Sequence, residues 1–198
     1  MKLNKKVPFL YKIAKFILGP IFRFYYSPKI IGKENIPKKG NIVIASNHIH
    51  LMDQCLTIIS TKRGIHYMAK KEYFDSKKTA WFFKGTGCIS VDREHGDEIA
   101  KEKALEVLKD GGALGIFPEG TRNKTKKFIL PFKYGAVSLA NKTNSLVVPI
   151  GVTGTYKFRS KDLIARIGAP IKMTGDIEKD NKKLYNVIKS LMEENLKK

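Results

Sequence analysis

The feature that most constrains this chain is a series of short, continuous apolar runs with helix-length stretches between most of them. The runs are "NIVIAS" (41–46), "IHYMA" (65–69), "GCISVD" (87–92), "ALGIFP" (113–118), "LVVPIGV" (146–152) and "LIARIG" (163–168). Helical patterns fall near 53–60, 71–85, 95–109, 132–142 and 178–196. Unbroken apolar strands are what a sheet covered on both faces requires, and intervening helices supply the cover. The expected fold is therefore α/β, with a largely parallel central sheet flanked by helices. With 198 residues the chain suffices for one such domain. That domain is expected over 28–198. The Pro-, Gly- and Lys-rich "SPKIIGKENIPKKG" (27–40) reads as the connection into it.

Three of the runs hand over directly to polar, reactive residues. Ser46 leads into Asn47-His48, Val91 into Asp92-Arg93, and Phe117 into Pro118-Glu119-Gly120-Thr121-Arg122. In open α/β sheets, ligands bind beyond the carboxyl ends of the strands. His48, Arg93 and 119–122 are thus expected along one common edge.

Residues 1–27 form a separate segment. "MKLNKKVPFLYKIAKFILGPIFRFYY" has the early lysines of a signal peptide but neither an unbroken apolar region nor a small-residue cleavage site. Lys12, Lys15 and Arg23 also break it as a spanning helix, which needs ~20 mostly apolar residues. Leu10, Ile13 and Ile17 sit three and four apart with Phe9 and Phe16 beside them, an amphipathic pattern that Gly19-Pro20 is expected to interrupt. Aromatic, apolar and lysine residues on one short helix suit a bilayer interface, so a membrane-association helix is expected. The competing interpretation is a helix packed on the domain's own core, which gives the same periodicity.

The charge bears on partners. With 38 Lys+Arg against 18 Asp+Glu the chain carries +20, and only six of the cations are arginine. Most lysines belong on a solvated surface, yet the balance draws anionic partners. Nucleic acid is not expected, since no aromatic platforms interleave with the basic residues and no groove-reading motif is present. An anionic membrane surface remains. Cys55 and Cys88 are the only cysteines, which suggests a reducing compartment and no disulfide framework.

"NHIHLMDQ" (47–54) admits two chemistries. One is a metal site of the His-x-His-x-Asp-His kind, in which the aspartate would fall at Met52 and a further histidine at Asp53. The register is wrong, and the chain holds four histidines in all, the others being His66 and His95. No metal is expected. The other chemistry pairs His48, as general base, with Asp53, which would hold the ring and stabilise the imidazolium. Five residues do not bring two side chains together on a straight helix; a strand that turns into a helix can close the gap. His50 is then a loop or capping histidine. No Gly-x-Ser-x-Gly elbow is present, which favours direct transfer over a covalent intermediate. In "FPEGTRN" (117–123), Pro118 and Gly120 fix a turn, Glu119 binds a hydroxyl or orders the loop, and Arg122 suits an anionic oxygen.

"NHIHLMD", "GTGCISVDR", "FPEGTRN" and "VVPIGV" occur in the order and with the rough spacing of the four motif blocks of the glycerolipid acyltransferases. "KYGAVSLA" (133–140) and "RIGAPI" (166–171) also match stretches common there, and the similarity covers about 28–172. The chain most resembles the 1-acyl-sn-glycerol-3-phosphate acyltransferases within that family. The resemblance implies that His48 and Asp53 are the catalytic pair. It also implies that Gly87, Arg93, Glu119, Gly120, Thr121 and Arg122 hold the acceptor's glycerol phosphate, and that Val148, Pro149 and Ile150 serve acyl-chain or donor binding. The implied reaction moves a fatty acyl group from an acyl-carrier-protein or coenzyme A thioester to the sn-2 hydroxyl of lysophosphatidate, giving phosphatidate, with no cofactor and no metal. Another lysolipid or an aminolipid precursor is the alternative acceptor. The implied location is the cytoplasmic face of a membrane, peripheral or monotopic. Two positions depart from the family: His50 and Asn123 stand where serine is usual and frequent, respectively.

Overall fold

The computed structural model describes residues 7–92 and 97–197. Seven strands form one sheet in the order β1–β7–β6–β2–β5–β3–β4. These are β1 (Lys29–Ile31), β2 (Ile42–Ser46), β3 (His66–Lys70), β4 (Ile89–Val91), β5 (Ala113–Ile116), β6 (Leu146–Thr153) and β7 (Ile164–Ile167). Every neighbouring pair is parallel except β6 and β7. The helices are α1 (Phe9–Tyr26), α2 (Asp53–Ser60), α3 (Glu72–Asp75), α4 (Ala80–Gly85), α5 (Glu98–Lys109), α6 (Gly135–Thr143) and α7 (Ile177–Leu196). The expected α/β architecture with a largely parallel, helix-flanked sheet is the one observed.

Side-chain alternation along β2 divides the core between the two faces. Val43 and Ala45 join Ala104 and Leu108 of α5, Val137 of α6 and Leu184 and Ile188 of α7. Ile42 and Ile44 join Phe22 of α1, Leu56 of α2 and Val148 and Ile150 of β6. On α7 the buried Leu184, Ile188, Leu191 and Met192 follow the four-, seven- and eight-residue spacing of one helical face. Each such side chain removed from water contributes roughly 1.5–3 kcal/mol. Gly151 lets α7 lie directly on β6, because a Cβ there would stand 2.8 Å from the backbone nitrogen of Met192. Side-chain caps start two of the helices: Asp97 accepts from Ala100 N–H at 2.8 Å and Asp176 from Lys179 N–H at 3.0 Å.

Three local details differ from the expectations. The connection 27–40 contains β1, which pairs Ile30 with Ala165 of β7 at the sheet edge. Pro28 before it and Gly32 after it, at φ +77°, limit it to three residues, too few for an apolar pattern. The stretch 71–85 is two short helices rather than one, and Thr79 Oγ1 donates to the Tyr73 carbonyl across the break at 2.7 Å. Finally, α1 runs through Gly19-Pro20 without ending and stops at Ser27, which adopts the left-handed conformation at φ 45°.

α1 packs against α2 and α4. Tyr11 and Phe22 are buried, and the Tyr11 hydroxyl accepts from Ile65 N–H at 3.2 Å. Lys15 Nζ donates to the carbonyls of Thr61 and Arg63, and Arg23 Nη2 to that of Ile59. These carbonyls lie at and just beyond the carboxyl end of α2, where the helix dipole favours positive charge. The outer side of α1 is a different surface: Phe9, Phe16 and Phe24 are 75 %, 82 % and 65 % exposed. Among the described residues no helix is long and apolar enough to cross a membrane.

Candidate active site

β2 and β5 are neighbours in register, Ala45 opposite Ile116, so the segments that follow them emerge side by side. That brings Asn47-His48 next to Phe117–Gly120. The buried Asn47 side chain continues the sheet pairing beyond β2. Its Nδ2 donates to the Val152 carbonyl at 2.9 Å and its Oδ1 accepts from Val152 N–H at 2.7 Å. The His48 backbone is held on both sides, its N–H by Glu119 Oε1 at 2.6 Å and its carbonyl by Asn123 N–H at 2.7 Å. Glu119 Oε2 accepts from Leu130 N–H at 2.9 Å, so this one buried carboxylate ties the histidine to the 117–132 loop. Burial pushes the Glu119 carboxyl above its ordinary range, and the two N–H donors act against that.

Asp53 opens α2 and is 1 % exposed. Its Oδ2 accepts from Ile49 N–H at 2.7 Å, His50 N–H at 2.8 Å and His48 Nδ1 at 2.8 Å. Its Oδ1 accepts from the Tyr156 hydroxyl at 2.5 Å. An ionised carboxylate has no proton to give, so Nδ1 carries the hydrogen and Nε2 keeps a free lone pair. The helix start adds favourable polarity for the negative charge. The His48 ring lies flat on Phe117, with centroids 3.9 Å apart and planes 10° from parallel.

His48 faces a cavity of about 400 Å³ between the strand ends and helices α5 and α6. Phe117, Gly120, Lys133, Ser138, Lys101 and Asp97 are among the residues around it. Lys133 runs across Gly120, where a Cβ would sit 3.0 Å from its Cε. A second cavity, also about 400 Å³, lies between α1, α2 and α4. It is almost wholly apolar, with Leu18, Phe22, Ile58, Ile59, Tyr67 and Phe83 in its wall. Cys55 borders it, but burial pushes this thiol up to about 11, which leaves little thiolate at neutral pH for nucleophilic chemistry. Among the described residues no three His, Cys, Asp or Glu side chains are grouped to hold a metal ion.

A histidine at a strand end, paired with a buried aspartate and open to a cavity, is an arrangement that does not by itself single out one family. A family model described as acyltransferase matches residues 27–153. The chain belongs to the acyltransferase family. It is 33 % identical to the 1-acyl-sn-glycerol-3-phosphate acyltransferase of Borreliella burgdorferi over 144 residues, which cover 72 % of this chain and 57 % of that protein. To the enzyme of the same name from Bacillus subtilis it is 32 % identical over 167 residues, 82 % of each chain. The crystal structure of the 1-acyl-sn-glycerophosphate (LPA) acyltransferase PlsC from Thermotoga maritima superposes with a TM-score of 0.77 at 29 % identity. That match covers 93 % of this chain and 78 % of PlsC.

In this acyltransferase-family chain the motif residues stand in unequal places. His48 and Asp53 are hydrogen-bonded. Gly120 borders the cavity beside His48, with Thr121 exposed and Arg122 half-buried just beyond it. Glu119 has both oxygens engaged by backbone N–H groups. Gly87, at φ +75°, is tight against Pro8 and the His66 ring, and its carbonyl bonds His66 Nδ1 at 2.8 Å. Val148, Pro149 and Ile150 are buried in the middle of β6 and border neither of these two cavities. Arg93 lies outside the described residues, one position beyond Asp92, which does border the cavity beside His48.

Two residues of the site had no role assigned from the sequence. Lys133 opens "KYGAVSLA", a stretch that matches the family, but one lysine among many gives no signal of its own function. Tyr156 lies four residues beyond the apolar run at 146–152, where spacing gives no link to Asp53.

Proposed function

We propose that this protein transfers a fatty acyl group from a thioester donor, acyl-carrier protein or coenzyme A, to the sn-2 hydroxyl of 1-acyl-glycerol-3-phosphate. The observation that carries this function is the 2.8 Å bond between His48 Nδ1 and Asp53 Oδ2, which leaves Nε2 toward the cavity as a base. In the reaction, Nε2 takes the hydroxyl proton as the acceptor oxygen attacks the thioester carbonyl. The tetrahedral adduct then collapses, the C–S bond breaks, and the imidazolium returns its proton to the departing thiolate. Asp53 stabilises the imidazolium between these events. The step balances without a metal or cofactor, and the relatives' names supply the acceptor class.

Charge and shape assign the substrate's parts. The acceptor phosphate goes to Lys133 beside Gly120, with Arg122 close by in sequence, since both cations suit phosphate oxygens. The apolar cavity between α1, α2 and α4 takes a hydrocarbon chain, for which its aromatic and aliphatic wall is suited. Assays with EDTA present, comparing lysophosphatidate with a zwitterionic lysolipid, test this assignment. Lysophosphatidate should be turned over and the zwitterion hardly at all. Lys133→Ala and Arg122→Ala should each raise KM for lysophosphatidate by about tenfold or more, as loss of a charged hydrogen bond implies. Preference for the zwitterion would point to a different lysolipid acceptor, and activity abolished by the chelator would refute metal-free chemistry.

The outer face of α1 is assigned to the lipid surface. Phe9, Phe16 and Phe24 project from it, and Phe158, 57 % exposed, stands edge-on to Phe24. Such a helix lies in the interface and does not cross it, while the net charge of +20 favours anionic bilayers. The double variant Phe16→Glu/Phe24→Glu should stop floating with anionic vesicles. It should keep its activity on acceptor dispersed in detergent. Flotation equal to wild type would discard this surface.

A further inference from the structure

The two oxygens of Asp53 are held unequally. Oδ2 receives three donors, all from residues 48–50, whereas Oδ1 receives the hydroxyl of Tyr156, 103 positions further along the chain. Tyr156 lies in the turn between β6 and β7, which Gly154 enters at φ +97° and which Thr155 Oγ1 closes onto the Asp162 carboxylate at 3.0 Å. Its ring is boxed in. One face stacks on His50, with centroids 4.2 Å apart and planes 18° from parallel. Tyr26 and Phe22 of α1 meet it edge-on, at 5.4 and 6.5 Å. Burial, and then the adjacent Asp53 charge, push the phenol far above its ordinary range, so it remains a donor at any working pH.

We propose that Tyr156 is a positioning residue for the transfer reaction, pinning Asp53 Oδ1 so that Oδ2 faces His48 Nδ1, and that His50 serves as the flat support for its ring. This rests on His48 being the catalytic base. The physical reason is the softness of the aspartate's terminal torsion, which is broad and roughly two-fold, unlike the staggered torsions of an aliphatic chain. Rotation about Cβ–Cγ carries both oxygens together, so a hydroxyl held on Oδ1 resists any turn that would take Oδ2 away from His48 Nδ1. Because Asp53 is buried, an unpinned Oδ1 has no solvent to replace the lost partner and would turn toward other donors. His50 also accounts for its own departure from the family's usual serine. A serine's N–H would still reach Oδ2, but only a ring gives Tyr156 a face to stack on.

Tyr156→Phe tests the proposal, since it keeps the ring, the stack and the α1 contacts and removes a single oxygen. The expected kcat is about tenfold lower, the order that loss of one charge-assisted hydrogen bond produces, with KM for acceptor and donor unchanged. The proton NMR resonance of His48 Nδ1–H should move upfield and exchange faster with water. A merely structural tyrosine would leave that resonance in place. If the melting temperature falls, the same spectrum taken below the transition still reports on the folded protein. A kcat within twofold of wild type and an unmoved resonance, beside a His48→Ala variant that is inactive, would overturn the role of Tyr156. Full activity in His48→Ala would instead overturn the base assignment beneath it.

Discussion

His48→Ala is expected to lower kcat by roughly 10³- to 10⁴-fold, the upper part of the range for removing a general base. The acceptor hydroxyl is a poor nucleophile until its proton leaves. The two carboxylates hydrogen-bonded to His48 are poorly placed to replace it: Glu119 has both oxygens engaged by backbone N–H groups, and Asp53 is buried behind the imidazole. The substitution should leave the fold intact. The His48 backbone N–H and carbonyl carry the bonds to Glu119 and Asn123, and neither requires the ring. Losing the ring costs the stack on Phe117 and the bond to Asp53 Oδ2, but that oxygen keeps the Ile49 and His50 N–H groups as donors. The measurement is kcat at saturating donor and acceptor, with circular dichroism to show that the variant is folded. A loss below tenfold would show that the imidazole does not carry the proton.

Asp53→Asn is the second large effect, expected on the order of 10³-fold in kcat, and its cause differs from a simple loss of geometry. The N–H groups of Ile49 and His50 both point at the Oδ2 position and demand an acceptor there. An asparagine must therefore place its oxygen at that point and its NH₂ toward Tyr156, whose hydroxyl oxygen can accept. His48 Nδ1 then keeps an acceptor and the correct tautomer. What disappears is the negative charge that stabilises the imidazolium. The test is kcat with KM and melting temperature alongside: a deep fall in kcat, near-constant KM and a modest change in stability. Asp53→Ala should behave differently. It leaves the part-buried Ile49 and His50 N–H groups and the Tyr156 hydroxyl without their acceptor, so stability falls together with activity. Equal melting temperatures for the two variants would contradict this account.

Much of the scaffold was legible because its signals are local. Apolar runs that alternate with helical stretches, and that turn polar at their carboxyl ends, placed β2 and β5 and the residues that leave them. α2 lies where it was expected, since Asp53 marks its start. What escaped depended on partners distant in sequence. β1 is three residues long and exists because β7 offers it an edge. The helix through Pro20 persists because α1 is fastened to the core on both sides of it, by Tyr11 and Phe22. In the site, the His48–Asp53 pair was readable from spacing within one turn. Tyr156 was not, because its meaning depends on a contact across 103 residues. The residues 148–150 illustrate the converse: a recognisable motif in sequence is here a buried stretch of central strand.

The bonds from Lys15 and Arg23 to the carboxyl end of α2 bear on how modular this protein is. Asp53 anchors one end of that helix and α1 secures the other, so the carboxylate that holds His48 and the N-terminal helix share a single rod of eight residues. α1 is therefore not an interchangeable tag. Trimming it away would bare the Tyr11 and Phe22 side of the core and strip the α2 terminus of its cations, so a shortened chain reports on folding before it reports on lipid. Exchange of this helix between relatives would have to carry its inward-facing residues along with it.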